Sequence, residues 1–407
     1  MVKFSKTIGL VAFIFTLNAC GNNTSKEEKS TKEELKQTTD TASVLHETPA
    51  KTPEVDLPEA SDRQYDDFAR FIAALTQRDS ASKLSKLEKE ETWTKFAKKF
   101  DSSWAILDKT RLSKMRTWRD QEIKAANETQ NDLLYAFSGP DFLNGFTLFP
   151  NATNYTLIAL EPVGQIKDFN ANKPEEVTNY LNSVDESLND IFEKSYFITR
   201  KMLQHLQRDK VDGTLPLMCL FLARTGNKIL DIKKVNIDST GNFNENNWEK
   251  GKRTSVVKIY FVHPDDPNRK RSLTYIKADM LDANIKKNKP LLSYLNNLGE
   301  VNAYLKSASY LLHYRDFSVI RDIILKKSNH ILQDDTGIAY RFYKQNEWQF
   351  VLYGKYAKPV KDFAGVDQVD LKKAYADSTK IKPLPFSLGY HWGTKDQNLM
   401  FASKIKK

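Results

Sequence analysis

Cysteine is scarce: the 407 residues contain two, Cys20 and Cys219. Such a pair cannot supply a disulfide framework or a cysteine-based metal site. Cys219 lies within the apolar stretch Leu217-Met218-Cys219-Leu220-Phe221, so it is expected as a core thiol. Long apolar runs are also missing. Ile8 to Leu17 spans ten residues, and no later stretch approaches the roughly 20 that a membrane-crossing helix needs. The six histidines, His46, His205, His263, His313, His330 and His391, show no HxxxH spacing, which argues against zinc. Gly-x-Ser-x-Gly, a phosphate-binding P-loop and a catalytic-cysteine arrangement are absent as well. Neither a metal nor a cofactor is expected.

The start of the chain carries an address. Lys3 and Lys6 precede the ten-residue apolar run, which ends in Leu17-Asn18-Ala19-Cys20. The arrangement resembles the signal and lipobox of bacterial lipoproteins. It implies removal of residues 1–19 and acylation of Cys20, which then holds the chain on a membrane. Gly21 stands where an Asp would favour inner-membrane retention, so the expected location is the outer membrane of a diderm bacterium. Lys26-Glu27-Glu28-Lys29 reads equally as a surface-export signal and as a solvated charge run, so either face is open. The net charge is +10. At this address nucleic acid is not an expected partner. Lipopolysaccharide phosphates, acidic glycans or peptidoglycan carboxylates are.

Residues 20–60 are rich in Lys, Glu, Thr, Ser and Pro and nearly free of large apolar side chains. They read as a disordered tether, because too little surface can be buried to offset the entropy of ordering. From 61 to 128, Tyr65, Phe68, Ile72 and Leu75, then Trp93, Phe96 and Phe100, keep a helical spacing that predicts a helical region. Leu133–Phe137 and Tyr155–Leu160 are short continuous apolar runs, as expected of strands covered on both faces. Pro174-Glu175-Glu176 opens a helix expected to run toward Leu206, and Leu215–Leu222 reads as a further strand. Residues 129–280 are thus expected as an α/β domain, with an antiparallel extension at Val256–Val262 and Leu273–Ile276. Residues 281–407 read as mixed helix and strand packed on it. Helices are expected at Val301–Leu312 and Phe317–Lys326, a hairpin at Asp334–Gly337 and a strand at Trp348–Tyr353.

Two strand ends stand out. Ser138-Gly139-Pro140-Asp141 follows the first apolar run, and Glu161-Pro162-Val163-Gly164 follows the second. Open α/β sheets bind their ligands at such carboxyl ends. The pair resembles the first βαβ unit of a methyltransferase-type Rossmann fold, with a glycine turn and then an acid 22 residues on. The resemblance implies the fold. The single glycine, and Pro140 in place of a backbone donor, separate it from a nucleotide site. Ser138, Gly139, Asp141 and Glu161 are candidate ligand-binding residues, Asp141 reading equally as a helix N-terminal acid and Glu161 also as part of a turn or a buried ion pair. Asp334-Asp335-Thr336-Gly337 offers oxygen donors for a hard cation, but no full calcium-loop pattern follows and the residues suit an ordinary hairpin turn. His263-Pro264-Asp265-Asp266 reads as an acid/base cluster or a turn. Tyr135–Gly164 and Ile331–Tyr343 resemble bacterial lipoprotein families that imply no particular reaction. Two classes of function follow: a binding protein for an envelope component or partner, or an envelope hydrolase or transferase using these carboxylates as acid and base.

Overall fold

The computed structural model describes residues 63–129, 131–169, 173–244 and 255–405. The chain divides into two units, Met1–Val55 and Asp56–Lys407, and every described residue belongs to the second. The signal, Cys20 and the stretch 20–60 lie outside the described residues.

Among the described residues, eleven strands form one mixed sheet. In chain order they are β1 (Asp132–Ala136), β2 (Asn154–Ala159), β3 (Lys228–Ile237), β4 (Phe243–Asn244), β5 (Val256–His263) and β6 (Asp266–Lys277). There follow β7 (Val301–Leu305), β8 (Ser328–Gln333), β9 (Trp348–Gly354), β10 (Ile381–Lys382) and β11 (Asn398–Lys404). Their spatial order is β10-β9-β11-β8-β7-β1-β2-β6-β5-β3-β4. The five central strands, β8-β7-β1-β2-β6, run parallel, while β11 is antiparallel to both β8 and β9. On the other flank β5 is antiparallel to β6 and β3. Residues 129–280 and 281–407 therefore contribute strands to the same sheet.

The apolar runs are continuous because both faces are covered. Side chains alternate across a strand, so Leu133 and Tyr135 enter one core and Leu134 and Ala136 the other. Tyr304 joins the first, while Val301, Ala303 and Leu305 join the second. Helices Arg63–Ile72, Glu91–Leu107 and Ser113–Glu122 supply aromatic side chains such as Phe71, Phe100 and Trp118 to the first core. Helices Lys289–Asn297 and Ser318–Lys327 cover the second.

Four expectations need correction. Leu215–Arg224 is a helix, buried throughout apart from its last residue. A helix apolar on every side is what a fully buried one requires. Pro216 in its first turn and the lack of Val, Ile or Thr in the run favour that outcome. Val301–Leu305 is a strand, not a helix, since it occupies the slot between β1 and β8. The helix opened by Pro174 stops at Lys194, because Ser195 takes the left-handed conformation (φ 69°), and a separate helix spans Thr199–His205. Asp334–Gly337 makes no hairpin: β11 lies between β8 and β9.

Strand order reverses next to β1. From β1 the chain proceeds outward through β2 to β6, then returns to place β7 on the other side of β1. The loops that leave β1 and β7 at their carboxyl ends flank this switch point, where open α/β sheets form their crevice.

Candidate functional site

After β1 the backbone turns sharply, with left-handed φ angles at Phe137 (60°) and Gly139 (57°). The Ser138 hydroxyl donates to the Gly139 carbonyl at 2.8 Å. The turn delivers Asp141 to the start of helix Phe142–Leu148, where Oδ1 accepts the Asn144 backbone N–H at 3.0 Å. The Asn144 amide donates to both carboxylate oxygens and to the Ser195 carbonyl. Tyr135 donates its hydroxyl to Asp141 Oδ2 at 2.9 Å. Lys306, the first residue past β7, places Nζ 2.7 Å from the same oxygen, and both side chains are 1% exposed. Lys306 also donates to the Ser195 carbonyl, while the Gly389 N–H donates to Ser195 Oγ at 2.7 Å. The crevice between β1 and β7 is therefore filled by an ion pair and roofed by residues 195 and 389.

Burial lowers the Lys306 pKa and Asp141 opposes that shift. Arg111, also buried, is brought down to about 10 by desolvation, with Asp141 again opposing. Burial raises the phenols of Tyr135 and Tyr304, and the charge of Asp141 raises them further.

The end of β8 meets the same loop. Asp334 Oδ2 accepts the Ser307 N–H at 2.9 Å, and Oδ1 accepts the Thr336 N–H and hydroxyl at 3.0 and 2.5 Å. Thr336 Oγ1 in turn accepts the Ala308 N–H at 2.7 Å. These bonds hold Ser307, Ser309 and Tyr310 at φ of 53°, 53° and 56°, a region that non-glycine residues seldom occupy. Asp335 Oδ2 accepts from Tyr310 at 2.5 Å and Oδ1 from the Asn398 amide at 3.0 Å. His391 Nε2 stands 3.2 Å from Asp335 Oδ1. Burial, then the neighbouring Asp335, pushes the Asp334 carboxyl up to about 6. Burial opposes a charge on His391, but the two aspartates outweigh it and raise its pKa. His313, buried nearby beside Arg341, is lowered to about 4.

Glu161 stands apart. It is buried, its carbonyl accepts the Tyr275 hydroxyl at 2.9 Å, and no hydrogen bond or ion pair joins it to Asp141 among the described residues. The turn behind it is packed on residues 212–215. Pro162 and Val163 carbonyls accept the Thr214 and Leu215 N–H groups. Gly164, at φ 72°, lies so close that an added Cβ would sit 1.6 Å from the Asp212 carbonyl oxygen.

The candidates thus fall into two places: one connected cluster of Asp141, Lys306, Asp334 and Asp335 around the loop after β7, and Glu161 against residue 275. The void beside Asp334, Asp335, Gln368 and Asn398 has no room for a water molecule. Among the described residues no group of three or more His, Cys, Asp or Glu is placed to hold a metal, and no helix is long and apolar enough to cross a membrane. His263-Pro264-Asp265-Asp266 forms the tight turn between β5 and β6, with His263 opposite Asp266. Lys306, Tyr310, His391 and Asn398 carry the network yet gave no motif. Reading Val301–Leu305 as a strand would have pointed to Lys306 at its end.

Two larger clefts lie elsewhere. One, of about 820 Å³, is bordered by helix Arg63–Ile72, residues 79–84 and the loop 165–169. The other, of about 700 Å³, contains five arginines. Comparison of this chain with family models, curated proteins and solved structures finds no match.

Proposed function

We propose that this chain is a lipid-anchored envelope protein whose α/β fold binds an envelope component or partner and performs no chemistry at its strand ends. Counted along the chain, the parallel strands stand in the order 3-2-1-4-5, the order of a doubly wound, Rossmann-like sheet. That order supports the resemblance noted at residues 133–164. The adenosylmethionine that such a methyltransferase unit binds does not fit these residues. Pro140 lacks an N–H, and the Asp141–Lys306 pair fills the crevice a ligand would enter.

The Asp141–Lys306 pair carries this reading. A carboxylate acting as acid or base must reach a substrate, whereas Asp141 is fully engaged by Lys306, Tyr135 and Asn144. The alternative, an envelope hydrolase or transferase, draws support only from the raised Asp334 carboxyl, which has a role holding the β7 loop.

The test replaces the pair by apolar groups of similar size, Asp141→Leu with Lys306→Met, in the full chain. The exchange removes both charges together, so no uncompensated charge is left buried, although Tyr135, Asn144 and the Ser195 carbonyl lose partners. Binding to isolated sacculi and outer-membrane fractions, measured by cosedimentation, should match the unaltered protein. A double variant that folds but loses a cellular phenotype would return the crevice to the status of an active site.

A further inference from the structure

The arginine cleft lies at the opposite edge of the sheet from the loops after β1 and β7. Helix Phe142–Leu148 starts at the carboxyl end of β1, so its last turn reaches the amino end of β2. There Arg119 donates to the Thr147 carbonyl at 2.8 Å, and Arg271 to that of Pro150. Arg269 Nη2 donates to the Asn151 carbonyl at 2.5 Å and to Thr153 Oγ1 at 2.7 Å. Arg269 and Arg271 are two apart on β6, so they project from the same face side by side.

Three of the five arginines already have acids. Arg116 meets Asp108, Arg119 meets Asp120, and Arg224 meets Asp101. Arg269 and Arg271 have no ion pair among the described residues, although Arg271 is 5% exposed. Their Nε–H groups, and that of Arg224, are buried without a hydrogen-bond partner. Two adjacent cations without an ion-pair partner are costly, and burial followed by the charge of Arg271 lowers the Arg269 pKa, with Asp266 and Asp132 opposing. Capping the last turn of a helix uses only part of each five-donor guanidinium. The acids that border the cleft have partners of their own or lie on the β5–β6 turn: Asp108 engaged with Arg116, Glu128 with Lys124, Asp265 with His263, and Asp266 opposite His263.

We propose that this cleft binds a phosphate group, with Arg269 and Arg271 as the inner donors and Arg119 beside them. A phosphate offers the planar forks several acceptor oxygens and the charge that the pair lacks. The volume of about 700 Å³ leaves room for the molecule that carries the phosphate. The inference rests on reading this chain as a binding protein, and names the class of ligand.

Calorimetric titration of the full chain in a non-ionic detergent would test it, with inorganic phosphate and soluble short-chain phosphatidic acid compared at constant ionic strength. One saturable site for inorganic phosphate is expected. Tighter binding of phosphatidic acid would assign the source to a lipid headgroup, and equal binding to a free phosphate. Arg269→Lys with Arg271→Lys keeps the charge but loses the forks, and should weaken binding at least tenfold. Lys83→Gln, in the other cleft, should change nothing. If the double variant does not fold, Arg269→Gln alone replaces it, since Arg269 is partly exposed. Absence of a saturable site, or unchanged affinity in a folded Arg269 variant, would overturn the proposal. Envelope cosedimentation that persists without phosphate binding would remove the cleft and leave the binding reading intact. Phosphate binding without any envelope association would do the reverse.

Discussion

Lys306 Nζ and Asp141 Oδ2 lie 2.7 Å apart where strand order reverses, with both side chains almost wholly out of water. The pair joins the loop after β1 to the loop after β7 and takes the position of a ligand. Asp141→Asn removes the charge and leaves Lys306 buried alone, which costs about 3–5 kcal/mol. Urea unfolding of the variant should show that loss. A change below about 1 kcal/mol would mean that Asp141 is a surface group after all.

Stability should depend on pH through His313. Its folded pKa of about 4 lies below its ordinary value of 6.5, because burial and Arg341 disfavour the charged ring. The unfolded chain therefore binds more protons between those values, and stability contributed by neutral His313 is lost as pH falls from about 6.5 toward 4. Full loss is on the order of 3 kcal/mol. His313→Gln should flatten that slope in urea midpoints measured across the window. An identical slope in the variant would assign the acid sensitivity elsewhere.

Asp334 works in the opposite sense. Its carboxyl, raised to about 6, favours the folded state in the protonated form, so its contribution is complete below about pH 4 and lost as pH rises through about 6. Asp334→Asn should remove this contribution, so that stability falls less as pH rises from about 4 to about 6. An equal or steeper fall over that window in a folded variant would contradict it.

Gly164→Ala should be severely destabilising. The added Cβ would meet the Asp212 carbonyl oxygen at 1.6 Å, and φ of 72° is unfavourable for alanine. Overpacking and left-handed strain together cost about 3 kcal/mol or more. The thermal midpoint reads it, and an unchanged midpoint would show that residues 162–164 can leave residue 212.

Anchoring is tested at Cys20. Cys20→Ser should abolish palmitate incorporation and release the chain from the membrane fraction or leave it uncleaved. Palmitate labelling equal to that of the unaltered chain would refute lipidation at this residue.

Strands β1 and β2 were legible because the runs Leu133–Phe137 and Tyr155–Leu160 are too short and too continuously apolar for an amphipathic helix. Leu215–Leu222 has the same look but folds as a helix. There the decisive information was side-chain shape, Leu, Met and Phe without a β-branched residue, more than hydrophobicity. Asp141 could be read as a helix-capping acid from Ser138-Gly139-Pro140-Asp141 alone. Its burial could not, since Lys306 lies far along the chain and its own strand looked helical. The network around Asp335 draws on Tyr310, His391 and Asn398, residues that only the tertiary fold brings together.

Strand β11 has a bearing on how this sheet is assembled. It alone joins β8 to β9, hydrogen-bonding to both along most of its length. Without residues 398–404 in place, β8 and β9 would each present a bare backbone edge. Such edges are templates for strands of neighbouring molecules. By pairing with both, β11 covers two edges that a strand of a neighbouring molecule would otherwise be able to extend.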